Sequence, residues 1–162
     1  MREEEFIYYI QNKSKNAIPL LNFISYCFYP HISIPLMNIL IYYNKINLLN
    51  FNLFFIYMEL IISSIKISVG RLRPYKRHHD YIKGYDVKKP KSKSFPSSHS
   101  AYSLMAALII YHFICPNKLI FLLPLIMGIS RMALGVHYLS DVLTGYLISY
   151  LLFKQAVYMN LF

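Results

Sequence analysis

Apolar residues gather into runs at 17–29, 34–43, 48–69, 101–115, 119–129 and 142–153, separated by short polar breaks and one long one. A spanning helix needs about 20 residues, with roughly 17 the lower limit, so only the run at 48–69 crosses a bilayer comfortably by itself. The others cross by drawing in polar flanking residues, as packed helices in a thinned bilayer do. The run at 17–29 reads as a short span or as an interfacial helix, because Asn22 interrupts it and Pro30 follows it. The pattern predicts an all-α polytopic membrane helix bundle of five or six spans, a single domain over 1–162 with no internal repeat.

Composition agrees with a lipid environment. Hydrophobic residues make up 56% of the chain, charged residues 15%, and the mean hydropathy is +0.37. The net charge of +10 suits anionic lipid, phosphate or nucleic acid alike, so its distribution decides. Nine basic residues (Arg71, Arg73, Lys76, Arg77, Lys83, Lys88, Lys89, Lys91 and Lys93) crowd into the long polar break at 70–96. That break is too charged and too rich in Gly and Pro to cross a bilayer, and its length marks a functional loop. The aromatic residues lie mostly in the oily runs, which argues against a nucleic-acid partner. Cys27 and Cys115 have no metal-ligand spacing and read as small hydrophobes. The N-terminus, MREEEFIYYIQNKSKN, lacks a basic start and a small-residue cleavage site, so it does not read as a signal peptide.

The hairpin formed by 101–115, the turn at 116–118 and 119–129 returns the chain to the side it left, so His99 and Arg131 emerge together, beside the loop that carries Arg73. Three polar clusters then meet at one surface. Lys66 lies near the end of the longest apolar run, where a lysine snorkels, while the Arg73 guanidinium offers a fork for two phosphate oxygens. In FPSSHS, Ser97 or Ser98 reads as a helix cap, and the free amides of a helix start also form an anion site, with His99 at its rim. In SRMALGVHYLSD, a helical segment after Gly135 would set His137 and Asp141 four apart on one face. The carboxylate would then fix the imidazole tautomer. A lone intramembrane Asp is a functional candidate by default, although a purely structural pair has the same spacing. His78 and His79 read as solvated loop residues, His31 and His112 as interface or packing residues, and Glu59 as a partner within the bundle, outside the site.

Lys66 to Pro74 fits K-x6-R-P, Pro96 to His99 is close to P-S-G-H, and Ser130 to Asp141 fits S-R-x5-H-x3-D. In that order the three motifs resemble the type 2 phosphatidic acid phosphatase family, which includes lipid phosphate phosphatases, undecaprenyl pyrophosphate phosphatases and vanadium haloperoxidases. The motif-bearing core runs over 60–155, with 70–96 as its active-site loop. Ser98 stands where the family usually has glycine, a position serine fills if its φ is negative.

The resemblance implies a phosphatase with a phosphohistidine intermediate. His137 would be the nucleophile, Asp141 would orient it, and His99 would be the general acid and then base. Lys66, Arg73, Ser97, Ser98 and Arg131 would bind the phosphoryl oxygens, where such chemistry depends on positioning and charge neutralisation. No metal and no cofactor are expected. The substrate would be a membrane lipid phosphate: undecaprenyl pyrophosphate, phosphatidylglycerophosphate or phosphatidic acid. The compact bacterial members imply an integral protein of the bacterial inner membrane with the site facing the periplasm, whereas the excess of Lys and Arg in the loop points to the cytoplasmic side. The alternatives are a non-catalytic lipid-binding or scaffold protein and a vanadate-dependent haloperoxidase, whose known relatives are soluble.

Overall fold

Every apolar run becomes helical in the computed structural model, which describes residues 2–44, 46–86 and 90–161, and of residues 30 and 31 the backbone alone. The described residues form eight α-helices: α1 (Glu3–Lys13), α2 (Ile18–Cys27), α3 (Pro30–Tyr43), α4 (Leu48–Val69), α5 (Pro74–Arg77), α6 (Ser98–Ile109), α7 (Leu122–Ala133) and α8 (Leu139–Tyr158). A π-helical turn (Ile110–Ile114) prolongs α6, and a 3-10 turn (Lys118–Phe121) leads into α7. No strand occurs among the described residues, so the all-α expectation holds. The expected packing role of His31 concerns a side chain outside the described ones, as do Lys88 and Lys89 of the loop.

Local chemistry starts the helices where the sequence offers caps. The Asn47 side chain accepts from Asn50 N–H at 3.0 Å to open α4, and Ser97 accepts from Ser100 N–H at 3.3 Å to open α6. At α8 the carboxylate of Asp141, on the third helical residue, reaches back to accept from Tyr138 N–H at 2.9 Å.

The core lies between α4, α6 and α8. Phe51, Phe54, Met58 and Ile62 of α4 form a buried stripe against Met105 and Ile109 of α6 and Leu152, Phe153 and Ala156 of α8. The opposite faces are apolar as well: Leu53, Ile56, Leu60 and Ile67 on α4 and Leu143, Leu147 and Leu151 on α8 are exposed. Helices apolar all round belong in a lipid-like surrounding. By length and composition, one segment, Leu48–Arg77, can cross a bilayer unaided, or two if α2 and α3, bent by 56° at their junction, form one broken span.

The polar loop differs from a freely solvated one. Lys83, Lys91 and Lys93 are exposed, but Ile82, Asp86 and Ser94 are buried. The loop is tied to the turn after α7 by Tyr75 N–H to Gly135 O and Tyr85 N–H to Leu134 O, both 3.1 Å. At that turn Gly135 has φ +71°, and a Cβ there would strike the Lys83 carbonyl oxygen and the Gln11 side chain, so only glycine seats the loop against it.

Candidate active site

The three motifs open onto one cavity of about 360 Å³, lined by Lys66, Arg73, Ser98, His99, Arg131 and His137 together with Tyr29, Glu59, Pro90, Ser92 and Tyr102. Two contacts bring the motifs together. Ser97 N–H donates to Asp141 O at 2.9 Å, tying the start of α6 to the start of α8. Gly145 allows the approach: a Cβ on it would lie 2.5 Å from Ser97 O and 3.3 Å from Ala101 N.

His137 is buried between opposed partners. Its Nε2 lies 3.1 Å from Nη1 of Arg73. A guanidinium only donates, so Nε2 accepts and a neutral ring carries its proton on Nδ1. That proton faces Asp141 Oδ2, 3.5 Å away, a distance at which Nδ1 makes no hydrogen bond. The pairing does not come from a shared helical face, as the spacing suggested. Helix α8 begins at Leu139, so His137 precedes it, and Asp141 meets the ring because its capping bond to Tyr138 N–H folds the carboxylate back. Burial, reinforced by Arg73, Arg131, Lys66 and His99, holds the His137 pKa well below the usual histidine range, so the ring is neutral near pH 7.

The cations fall into two kinds. Arg131, fully buried, is matched by Asp86, with Nη2 to Oδ2 at 2.9 Å, and its Nη1 donates to Ser25 Oγ. Arg73 donates only to neutral groups: Ser92 O at 2.9 Å, Val136 O at 2.9 Å, Ser92 Oγ at 3.1 Å and Lys93 O at 3.2 Å, besides His137. Lys66 Nζ donates to Pro96 O. Among the described residues neither Arg73, which is buried, nor Lys66, which is half-buried, makes an ion pair, and a cation so shielded from water without one favours an anion in the space it faces. His99 stands edge-on to Tyr29, with ring centroids 5.0 Å apart, and its buried Nε2 makes no hydrogen bond.

Ser97 does not line the cavity; its hydroxyl is spent as the α6 cap, accepting from Ser100 N–H and from Ser100 Oγ at 2.8 Å. Ser98 does line it, in the first turn of α6, and Asn160 is the one non-glycine residue with positive φ among those described. Serine therefore sits at the usual glycine position without left-handed strain. Glu59 lines the cavity too, with Ser63 Oγ donating to its Oε1 at 2.8 Å.

Three residues went unassigned in the sequence. Arg71 donates to Asp141 Oδ1 at 2.8 Å, Asp86 pairs with Arg131, and Ser92 carries Arg73. The RLR stretch held a signal for the first: in extended backbone residues two apart share a face, and with Leu72 exposed both arginines turn inward, Arg71 to the carboxylate and Arg73 to the cavity.

Fold and cavity together define an all-helical protein with a cationic cavity that holds two histidines, set where α4 ends and α6 and α8 begin. The chain belongs to the PAP2 superfamily, whose family model matches residues 47–161. Its fold is similar to the crystal structure of a transmembrane PAP2 type phosphatidylglycerolphosphate phosphatase from Bacillus subtilis, with a TM-score of 0.68 and 22% identity, covering 93% of this chain and 84% of that one. A stretch of 59 residues is 37% identical to an uncharacterized protein of Methanocaldococcus jannaschii, covering 36% of this chain and 25% of that protein. The match thus spans about a quarter of that relative's length.

Proposed function

We propose that the protein is a membrane-embedded lipid phosphatase that works through a phosphohistidine. The observation that carries this reading is one cavity on which Lys66 and Arg73, two cations with no ion pair among the described residues, meet two imidazoles, His99 and His137. A phosphate entering it draws Arg73 Nη1 from Nε2 of His137 to its own oxygens, which frees the lone pair that attacks phosphorus. Lys66, Arg73, Arg131 and the first-turn amides of α6 neutralise the equatorial oxygens. His99, protonated once the anion is bound, gives its proton to the leaving oxygen. It then takes a proton from the water that cleaves the His137 phosphoramidate, and inorganic phosphate departs. Asp141 stabilises the charge on the His137 ring as the N–P bond forms. Neither step calls for a metal, and metal independence is part of the proposal.

A lipid substrate is supported by a second cavity of about 360 Å³, lined by Ile34, Phe55 and Ile56 and sharing Glu59 and Tyr102 with the first. The exposed apolar faces of α4 and α8 support placement in the bilayer. Phosphatidylglycerophosphate, phosphatidic acid and undecaprenyl pyrophosphate all present a phosphate at head-group depth beside a long chain, and all three belong in the assay. The test is phosphate release by the purified wild type and by His137→Ala. Wild-type release that persists in EDTA, is inhibited by vanadate and is lost in the variant is the expected result. Equal release by the two proteins would overturn the nucleophile.

A further inference from the structure

We infer that the N-terminal helix α1 is a working part of the catalytic end, with Glu3 acting through Arg71 as a positioning residue for Asp141 and, through it, for His137. The inference rests on the phosphatase reading above. It concerns a helix outside residues 47–161, the part that matches the family model.

The contacts form one chain. Glu3 Oε2 accepts from Arg71 Nη2 at 2.7 Å, and Glu3 Oε1 accepts from Ser140 N–H at 2.7 Å. Arg71 Nη1 donates to Asp141 Oδ1 at 2.8 Å and to Ser140 Oγ at 2.6 Å, and its guanidinium lies 3.8 Å from the centre of the Tyr138 ring. The other carboxylate oxygen, Oδ2, takes Tyr138 N–H and faces His137 Nδ1. The rotation of the Asp141 carboxylate, hence the distance from Oδ2 to the imidazole, is therefore set jointly by the capping bond to Tyr138 N–H and by where Arg71 is held. Arg71 is held between Glu3 on one side and the Tyr138 ring on another. Ser140 N–H is a first-turn amide of α8 with no intrahelical acceptor, and the Glu3 carboxylate supplies one at the positive end of the helix.

Helix α1 does not depend on Glu3 for its attachment. Ile7 is buried in a cluster with Ile82 and Tyr138. Gln11 Nε2 donates to Lys83 O at 2.6 Å and Gln11 Oε1 accepts from Lys83 N–H at 3.2 Å. Glu3→Gln keeps the shape and an acceptor while removing the charge, so it tests positioning rather than folding.

The groups that face His137 are Arg73, Arg131, Lys66, His99 and Asp141, and Arg71 adds its charge through Asp141. Removing the Glu3 charge leaves this surrounding more positive, so the acid limb of kcat/KM moves to lower pH; Arg71→Ala makes it more negative and moves the limb to higher pH. Both variants are expected to lose about tenfold or more in kcat with KM within about twofold, because the loss lies in aligning the nucleophile. Glu3→Asp is expected to recover part of the Glu3→Gln loss. The control is Glu5→Gln on the same helix, whose carboxylate is spent on Arg2 in solvent and whose kinetics stay at wild type.

Unchanged kcat in Glu3→Gln and Arg71→Ala, a fall shared by Glu5→Gln, or limb shifts of the same sign would overturn the inference. Wild type and His137→Ala are run beside them, so an inactive wild type counts against the phosphatase reading. In that event the rise in thermal midpoint on adding orthovanadate is the readout: a rise smaller in Glu3→Gln than in wild type supports the inference, and equal rises overturn it.

Discussion

A neutral histidine wedged among cations carries a pH signature. The unfolded chain binds a proton on His137 near pH 6.5, while the folded protein refuses it until well below that value. Below about pH 6.5 the unfolded state therefore holds more protons, and stability falls as pH falls, by at most about 1.4 kcal/mol per pH unit for this one group. Thermal unfolding of the detergent-solubilised protein between pH 7.5 and 5 is expected to show a falling midpoint, with a shallower fall in His137→Ala. A parallel fall in the two would place the proton uptake elsewhere. Arg73 gives a second expectation: its fork holds Ser92, Lys93 and Val136 at once, which three lysine donors on one nitrogen cannot reproduce. Arg73→Lys is expected to lower phosphate release by about 10²-fold, measured as kcat/KM. The motif residues Lys66, Arg73, His99, Arg131, His137 and Asp141 were legible in the sequence because they are polar groups at fixed spacing beside oily runs. Arg71, Asp86 and Glu3 were not, because in one dimension they look like any other charges of a solvated loop or terminus. Their partners lie about 70, 45 and 137 residues away in sequence.

At the level of elements, the site depends on how closely α8 approaches the start of α6. The missing side chain at Gly145 lets the Ser97 carbonyl sit where a Cβ would be, and the Ser97 N–H bond to Asp141 O then couples the second motif to the third. Gly145→Val has backbone to push against rather than a flexible side chain. It is expected to destabilise the protein by about 1–3 kcal/mol and to lower activity beyond that loss, because His99 and His137 move apart. Thermal unfolding together with phosphate release measures both; full activity in a folded Gly145→Val would show that the approach is slack. Six helical regions followed from the continuous apolar runs, whose length marks helices in a lipid-like surrounding, whereas α1 and α5 left no such run. Their ends were less legible. The start of α8 at Leu139, which leaves His137 in the preceding turn, depends on a capping bond made by Asp141, the residue that spacing alone assigned to a shared face with His137.

For the molecule as a whole, the two ends of the bundle make different demands on charge, and a pair of labels distinguishes them. The 17 residues from Ser98 through Ile114, in α6 and its π-helical extension, extend about 25 Å away from the site. Cys115, exposed beyond them, marks the far end, while exposed Asp80 marks the near end. In a Cys27→Ser background, a thiol reagent that cannot cross the membrane is expected to modify Asp80→Cys and native Cys115 from opposite sides, whichever way the protein inserts. Modification of both from one side would remove the bilayer from between them. The direction then tests the site's placement on the outer face. Of the loop's described basic residues, Arg71 and Arg73 are engaged at the site, whereas Lys76, Arg77, Lys83, Lys91 and Lys93 are exposed, a density that ordinarily marks the cytoplasmic side. An outward site needs those lysines and arginines to act at the membrane surface, drawing anionic lipid head groups toward the cavity. Labelling of Asp80→Cys in intact cells, together with phosphate release that slows as salt rises, is the expected pair of results. Labelling of Cys115 alone in intact cells would show that the basic residues set the orientation and that the site works on the inner leaflet.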